Sequence, residues 1–456
     1  MINLDVSGRV HKLTINLRTL WYTIRSTYWF LPAMMVLASM ILCFIVIYID
    51  YRIIGTEWIE SFDWFTVNTP DGARALLSTV AGSMITVAGV VFSITIVALT
   101  LASGQFGPRL LENFMRDRGN QIVLGTFIAT FIYCLLLLRT IKGGDNSFIP
   151  QLSVTVALLL ALMSMSVLIY FIDHAATSIQ ASNVIRVAAG NLHNAIDEMF
   201  PEKIGEGKKV RESWWVAPEG MPSDFDEKSK PVYAGGSGYL RVMDDQGLLD
   251  LASSRGLIIK IEYKPRDYVV SGMPLAYIWP GSSIDEDLID DIRGSFILGK
   301  KRTSEQDVEY MIDQLVEIAV RALSPGINDP FTAIMCIDNL TSALGRVAGR
   351  INPSSHIYDK NNQLRLIVST TTFTNLLDAA FNQIRQYGRD SVSVTIRLLE
   401  SLAVLAVLVS RKTDKEAIVR HAGMIKRGSD SGVVEELDRR DVLERYEKVL
   451  ASAGYL

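Results

Sequence analysis

Four long runs without Asp, Glu, Lys, Arg or His constrain the fold of this chain more than any other feature. They cover residues 28–49, 75–108, 119–138 and 146–172. A helix of about 20 apolar residues crosses a hydrocarbon core about 30 Å thick, and a spanning segment has to satisfy its backbone hydrogen bonds internally. We therefore predict four transmembrane helices, near residues 29–49, 75–101, 121–140 and 150–172.

The charged residues divide the chain into an apolar part and an ordinary soluble part. Only 20 of residues 1–172 are Asp, Glu, Lys or Arg, about 12%, whereas 74 of the remaining 284 are charged, about 26%. Soluble proteins contain about 25% charged residues. This distribution excludes a purely soluble enzyme, a disordered chain and a secreted disulfide scaffold. The net charge of −4 and the lack of a basic stripe argue against nucleic acid as a partner.

The sequence predicts no catalytic residue, no metal site and no cofactor. The three cysteines and five histidines are scattered. None of the spacings typical of a nucleophile elbow, a metal site, a P-loop or a dinucleotide fold is present. We therefore expect the protein not to be an enzyme.

We predict a mainly α fold in which a four-helix transmembrane domain is followed by a cytoplasmic α+β domain. The α+β domain consists of a small β-rich module and a helical bundle. The predicted segments are an interfacial N-terminal helix (1–27), the transmembrane domain (28–174), a helix and linker (175–231), the small β-rich module (232–282) and the helical cytoplasmic domain (283–456). In the last of these, Thr303 and Gln306 fit a capping box, which predicts a helix from there to Leu323.

Lysine and arginine counts in the short loops predict the orientation. Seven such residues lie on the side of the N-terminus and four on the opposite side. The seven are Arg9, Lys12, Arg18, Arg25, Arg109, Arg116 and Arg118, and the four are Arg52, Arg74, Arg139 and Lys142. This bias places the N-terminus in the cytoplasm, and four spans bring the C-terminal domain to the same side.

The second predicted span carries a repeating face of small and hydroxylated residues. Its members are Thr79, Gly82, Thr86, Gly89, Ser93, Thr100 and Ser103. A repeat of seven residues keeps such a face turned toward one neighbour. Two interpretations stay open: close helix packing, because small residues let backbones approach, or the lining of a pore, in which hydroxyls replace water around a solute.

Two further properties of the spans bear on transport. The uncharged run at 75–108 is longer than a bilayer requires and ends at 104–108 in glycines and a proline, which break a helix. The four runs that predict the spans contain no Asp, Glu, Lys, Arg or His. Proton-coupled carriers and voltage sensors need such residues, so a passive pore, or no transport at all, fits better.

Residues 321–333 form a distinctive polar turn between two predicted helices. Pro325 and Gly326 end one helix, while Asp329 as N-cap and Pro330 at the first helical position start the next. The turn is either a purely structural corner or a surface for a ligand or a neighbouring subunit. The candidate residues of such a surface are Arg321, Ser324, Asn328, Asp329 and Thr332.

Five motifs in this chain resemble those of a known family. They are Ser-Thr-Tyr-Trp-Phe-Leu-Pro at 26–32, Phe-Gly-Pro-Arg-Leu at 106–110, Arg-Asp-Arg-Gly-Asn-Gln at 116–121, Leu-Gly-Thr-Phe at 124–127 and the whole turn at 321–333. Together they resemble the bacterial domain-of-unknown-function 2254 family of predicted integral membrane proteins, over nearly the whole chain. The resemblance implies a bacterial inner-membrane protein. It implies no activity and no site residues, because the family has none established.

Two functional hypotheses follow from these observations. In the first, the protein is a homo-oligomeric, channel-like protein that passes ions or small solutes along the second span, with a cytoplasmic domain for assembly and gating. In the second, it is a membrane-anchored sensor or scaffold without transport. Both place the protein in the lipid bilayer.

Overall fold

The computed structural model describes residues 29–53, 69–108, 117–141, 148–200 and 221–456. The chain splits into two compact units, Met1–Gln180 and Ala181–Leu456. The predicted interfacial helix at 1–27 and much of the predicted linker lie outside the described residues. The predicted fold class is confirmed: the chain is mostly helical, with four apolar helices followed by a domain of small sheets and helices.

The described residues of the first unit form four helices that are long and apolar enough to cross a bilayer. They are α1 (Phe30–Ile53), α2 (Pro70–Phe106), α3 (Arg118–Leu138) and α4 (Gln151–Ser178). The 37 residues of α2 correspond to about 55 Å at 1.5 Å per residue. This helix starts after the N-cap Thr69 and ends at Phe106, before the C-cap Gly107, whose positive φ of 105° glycine adopts without strain.

The central helix of this unit is α3, which packs against each of the other three. In its apolar window 56% of the residues are buried, against 17–22% in the other helices. A Cβ atom at Gly125 would lie 2.5 Å from the Sδ atom of Met35 and 3.2 Å from the Cα atom of Pro32. The bare glycine therefore lets α1 and α3 approach closely, as small residues do at helix contacts within membranes.

Two small sheets lie in the second unit. The strands are β1 (Lys230–Tyr233), β2 (Gly238–Met243), β3 (Ile258–Ile261), β4 (Tyr268–Val269), β5 (Pro274–Trp279), β6 (Phe296–Gly299), β7 (His356–Tyr358) and β8 (Leu364–Ile367). One sheet has the order β1-β5-β3-β8-β7 and the other the order β4-β2-β6. All neighbours are antiparallel except β3 and β8, in which Ile259 lies opposite Leu366.

These pairings correct the prediction that residues 232–282 form a module of their own. Strands β6, β7 and β8 come from 283–456, which was predicted to be helical, and the helix α7 (Asp245–Arg255) lies inside the predicted module. Strands of three or four residues are too short to show the two-residue period from which a strand is recognised. Their partners are also far away in the sequence, so only tertiary contacts reveal the pairing.

The described residues of the second unit form nine further α-helices. They are α5 (Ala181–Met199), α6 (Phe225–Lys228), α8 (Glu286–Gly294), α9 (Val308–Ala322), α10 (Pro330–Ala348), α11 (Phe373–Tyr387), α12 (Val392–Leu408), α13 (Lys412–Gly432) and α14 (Glu436–Ala453). Helix α9 packs against α5, α10 and α11, and α11 packs against α13. The apolar faces of these packed helices are therefore turned toward one another.

The start of α9 differs from the prediction. The capping box at Thr303 is wrong, because the helix begins after Asp307, whose Oδ1 accepts a hydrogen bond of 2.9 Å from the N–H of Tyr310. Gln306 instead binds the backbone of Met243 in β2, accepting from its N–H at 2.9 Å and donating to its carbonyl at 3.2 Å. The Gln306 side chain, which the local pattern assigned to the cap, therefore makes a long-range contact with β2 instead.

Candidate functional site

The small and hydroxylated face of α2 points away from the other described helices of its own unit. Six of its seven predicted residues are exposed, and Ser103 is half-buried. The opposite side of the helix is buried against the bundle through Ala73, Leu77, Ala81, Met84, Ala88 and Val91. We call the exposed face, made of Thr79, Gly82, Thr86, Gly89, Ser93, Thr100 and Ser103, the polar stripe.

The hydroxyl groups of the polar stripe donate to their own helix. Thr86 donates to the carbonyl of Gly82 at 2.8 Å and Ser93 to that of Gly89 at 2.9 Å. Thr79 and Thr100 bind the carbonyls four residues earlier in the same way. Each donor is therefore satisfied without water, while the oxygen lone pairs stay available to accept from whatever touches this face.

The glycines of the polar stripe face open space. A Cβ atom at Gly82 or Gly89 would meet nothing within 4 Å. No described residue of the first unit therefore requires these two positions to be small. The packing interpretation, applied to the bundle of a single chain, is not supported by these contacts.

A cavity of about 180 Å³ interrupts the buried side of α2. The buried positions end at Val91 and resume at Ala102, and Thr95, Ala98 and Leu99 between them are half-buried. Across the space lie residues from the start of α3 and the end of α4: Asn120, Phe171, Ala175, Ser178 and Ile179. The lining is mostly apolar, which suits a hydrocarbon environment rather than a polar substrate.

One end of the bundle is held by a buried carboxylate that sequence reasoning did not single out. The carboxylate of Asp50 accepts hydrogen bonds from the N–H groups of Leu152 at 3.0 Å and Ser153 at 2.9 Å, and from the Ser153 hydroxyl at 2.5 Å. Asp50 is only 5% exposed. It therefore caps the start of α4 from α1, where the helix dipole favours a negative charge.

A histidine–aspartate pair joins α3 and α4 at the other end. Nε2 of His174 lies 2.6 Å from Oδ2 of Asp117, the N-cap residue of α3. A Cβ atom at Gly119 would lie 2.6 Å from the same nitrogen, so this glycine makes room for the imidazole. The Tyr170 ring stacks on the imidazole with centroids 5.3 Å apart. His174 is therefore a structural link between α3 and α4.

The turn at 321–333 brings all five of its candidate residues into one corner between α9 and α10. The predicted N-cap Asp329 accepts from the N–H of Thr332 at 3.1 Å and from its hydroxyl at 2.6 Å. These bonds hold the pKa of Asp329 below its usual value. The Ser324 hydroxyl donates to the carbonyl of Arg321 at 2.6 Å, and Asn328 has a left-handed φ of 49°.

The polar groups of this corner therefore bind mainly each other, as a structural turn requires. Its exposed tip is apolar: Phe331 is 76% and Ile327 47% exposed. A role of the five residues toward a ligand or subunit stays a prediction. In the described ranges, no three His, Cys, Asp or Glu side chains are grouped so that they could hold a metal ion.

Comparisons with known proteins give a family but no activity. A family model described as predicted membrane protein (DUF2254) matches residues 25–404. An uncharacterized protein of Mycobacterium bovis is 32% identical over 385 residues, which are 82% of this chain and 71% of the relative. An uncharacterized protein of Mycobacterium tuberculosis matches with the same identity and coverage. No solved structure matches the chain.

Proposed function

Because the chain belongs to the DUF2254 family of predicted membrane proteins, we propose that it is a homo-oligomeric, channel-like protein in which α2 lines the path. The protein lies in the bacterial inner membrane with both termini in the cytoplasm, and the second unit assembles and gates the oligomer. The permeating species are ions or small solutes. The proposal assigns the protein no enzymatic reaction.

The observation that carries this proposal is the exposure of the polar stripe. Hydroxyl oxygens and bare glycines lie on the side of α2 that no other described helix of its own unit covers. Against lipid this face has no function, whereas several copies of it around an axis form a ring of acceptor oxygens that can replace water around a cation. The stripe contains no ionisable side chain, so the path is passive.

A flux experiment with matched serine variants tests the proposal. Ser93 and Ser83 are both exposed on α2, and each hydroxyl binds the carbonyl four residues earlier. Ser83 lies about 80° around the helix from Ser93 and is not one of the residues of the polar stripe. Liposomes with the wild-type protein are expected to release K⁺ or Na⁺, Ser93→Leu to abolish the flux, and Ser83→Leu to retain it.

Two results would contradict the channel. One is a protein that is monomeric in detergent and in native membranes. The other is wild-type liposomes that stay impermeable to monovalent cations, monovalent anions and small neutral solutes.

The exposed apolar tip of the α9–α10 corner favours the sensor or scaffold as the second candidate. Phe331 and Ile327 are large apolar side chains on the surface, and such exposure is typical of contact surfaces. A photocrosslinking amino acid at position 331 is expected to capture one defined partner in cells if this candidate is correct. Loss of that capture in Asp329→Ala, together with silent liposomes, would favour the scaffold over the channel.

A further inference from the structure

A group of basic side chains lies where α11 packs against α13 in the second unit. Asp378 of α11 binds Arg420 and His421 of α13. At the other end of α11, Arg389 lies against Gly428 and Gly432 of α13. The two helices therefore run in the same direction. We call Arg385, Arg420, His421 and Arg427 the basic cluster.

Among the described residues, a single carboxylate forms ion pairs with this cluster. Oδ1 of Asp378 lies 2.6 Å from Nη2 of Arg420 and 2.7 Å from Nε2 of His421. Arg385 and Arg427 make no hydrogen bond or ion pair with any described residue. The cluster thus holds two guanidinium groups without a counter-charge.

Two buried nitrogen atoms of the cluster lack a partner within the described part of the chain. They are Nε of Arg385 and Nδ1 of His421, and the His421 side chain is fully buried. Leaving a buried charged donor unsatisfied is costly, and such groups in native proteins usually mark a water or an ion. Burial and the neighbouring Arg427 also hold the pKa of Arg385 below its usual value, so nearby positive charge is uncompensated.

The position of Arg427 makes it available to a ligand. The side chain is exposed, and its Nη1 atom lies 3.3 Å from the place where a Cβ of Gly423 would be. The guanidinium group of Arg427 therefore lies over the surface of α13 at Gly423, where there is no side chain. Asn382, one turn before Arg385 on α11, adds a half-buried amide without a described hydrogen-bond partner.

We propose that the basic cluster binds a phosphate group, held by the guanidinium groups of Arg385 and Arg427 and the amide of Asn382. Guanidinium groups match phosphate oxygens in geometry as well as in charge. A dianion supplies the acceptor that Nε of Arg385 lacks and neutralises both unpaired arginines. The site is independent of the channel proposal, because it lies in the second unit and involves no residue of α2.

The phosphate can belong to a free ion or to a lipid headgroup, and the test separates the two. In the first arm, the full chain in detergent is incubated with radiolabelled inorganic phosphate. In the second, its thermal unfolding is compared in nanodiscs of phosphatidylcholine alone and of phosphatidylcholine with phosphatidic acid. Arg427→Gln and Arg385→Gln are compared with Arg445→Gln, which removes an arginine that is paired with Asp441 and Glu444.

We expect a positive result in one of the two arms, either saturable binding of phosphate or a rise in Tm with phosphatidic acid. Arg427→Gln and Arg385→Gln should each weaken that binding at least tenfold or abolish that rise in Tm, and Arg445→Gln should leave it unchanged. Arg427 is exposed, so its substitution tests the site even if Arg385→Gln does not fold. Binding in the first arm identifies free phosphate, and a rise in Tm with phosphatidic acid that both variants lose identifies a lipid headgroup. The absence of an Arg427-dependent response in both arms would overturn the proposal.

Discussion

At the scale of single residues, the sequence did not predict which partners the buried polar groups bind. Asp50 and His421 are 5% and 0% exposed, and each is held by partners from another helix. Burial without such partners would cost several kcal/mol for a charged group. Their effect on stability therefore depends on contacts that can be removed one at a time.

Removing the Asp50 carboxylate is expected to destabilise the four-helix unit. In Asp50→Ala, the buried N–H and hydroxyl groups of Ser153 lose their acceptor, which costs about 1–3 kcal/mol. The measurement is thermal unfolding of the purified protein in detergent. Asp71→Ala is the control, because that side chain is 94% exposed, and we expect its effect to stay within about 0.5 kcal/mol. Equal Tm values for the two variants would show that the bonds to α4 contribute nothing.

His421 is expected to make the second unit less stable in mild acid. Burial lowers the pKa of His421 below its usual value, although Asp378 opposes this. The unfolded chain then binds more protons than the folded one below about pH 6.5, so the free energy of unfolding falls as the pH falls through that range. In phosphate-free buffer, His421→Gln should show a smaller decrease than the wild type. An unchanged pH slope would exclude this residue as a cause.

At the scale of elements, the two faces of α2 have different surroundings. Its buried positions follow the bundle and its polar stripe faces outward, so neighbouring residues in the sequence have opposite surroundings. Ala88 is 4% exposed, whereas a Cβ at Gly89 would meet nothing within 4 Å. The two positions therefore allow the same substitution to test two different contacts.

Leucine at these two positions is expected to have different effects. Ala88→Leu overpacks the bundle, which costs about 1–3 kcal/mol, and lowers the Tm of the protein in detergent. Gly89→Leu leaves the fold of the single chain intact and narrows the proposed path. Thermal unfolding in detergent and cation flux in liposomes measure the two effects separately. A flux that persists unchanged in Gly89→Leu would mean that the polar stripe lies outside the path.

At the scale of the whole molecule, the chain combines an apolar unit and a mixed α+β unit that have separate cores. The core of the first unit lies around α3, and a large core of the second lies under the sheets. Four helices in the described residues are long and apolar enough to cross a bilayer. Four crossings, as proposed, would bring the N-terminus and the second unit to the same side of the membrane.

Reporter fusions are expected to place both ends in the cytoplasm. Alkaline phosphatase fused after Leu456 should be inactive and a fluorescent protein there should be fluorescent, because lysines and arginines favour the cytoplasmic side. A fusion within residues 54–68, between the first two helices, should show the reverse. Active phosphatase at the C-terminus would show that the orientation is inverted.

The sequence by itself determined the features that depend on neighbouring residues. The four apolar helices follow from the length of uncharged runs, and the end of α2 follows from Gly107 and Pro108. The corner at Asp329 and Pro330 follows from capping chemistry. Each of these is decided within a few residues, because a helix end or a spanning segment is stabilised locally or by the lipid.

Only the tertiary structure decided which contacts those elements make. Ser153 binds Asp50 across 103 residues, β3 pairs with β8, and the polar stripe lies outside the bundle instead of within it. Arg385 and Arg427 come together because α11 and α13 pack side by side. Such contacts depend on which surfaces are buried against each other, and a periodic pattern specifies that a face is distinct without specifying what covers it.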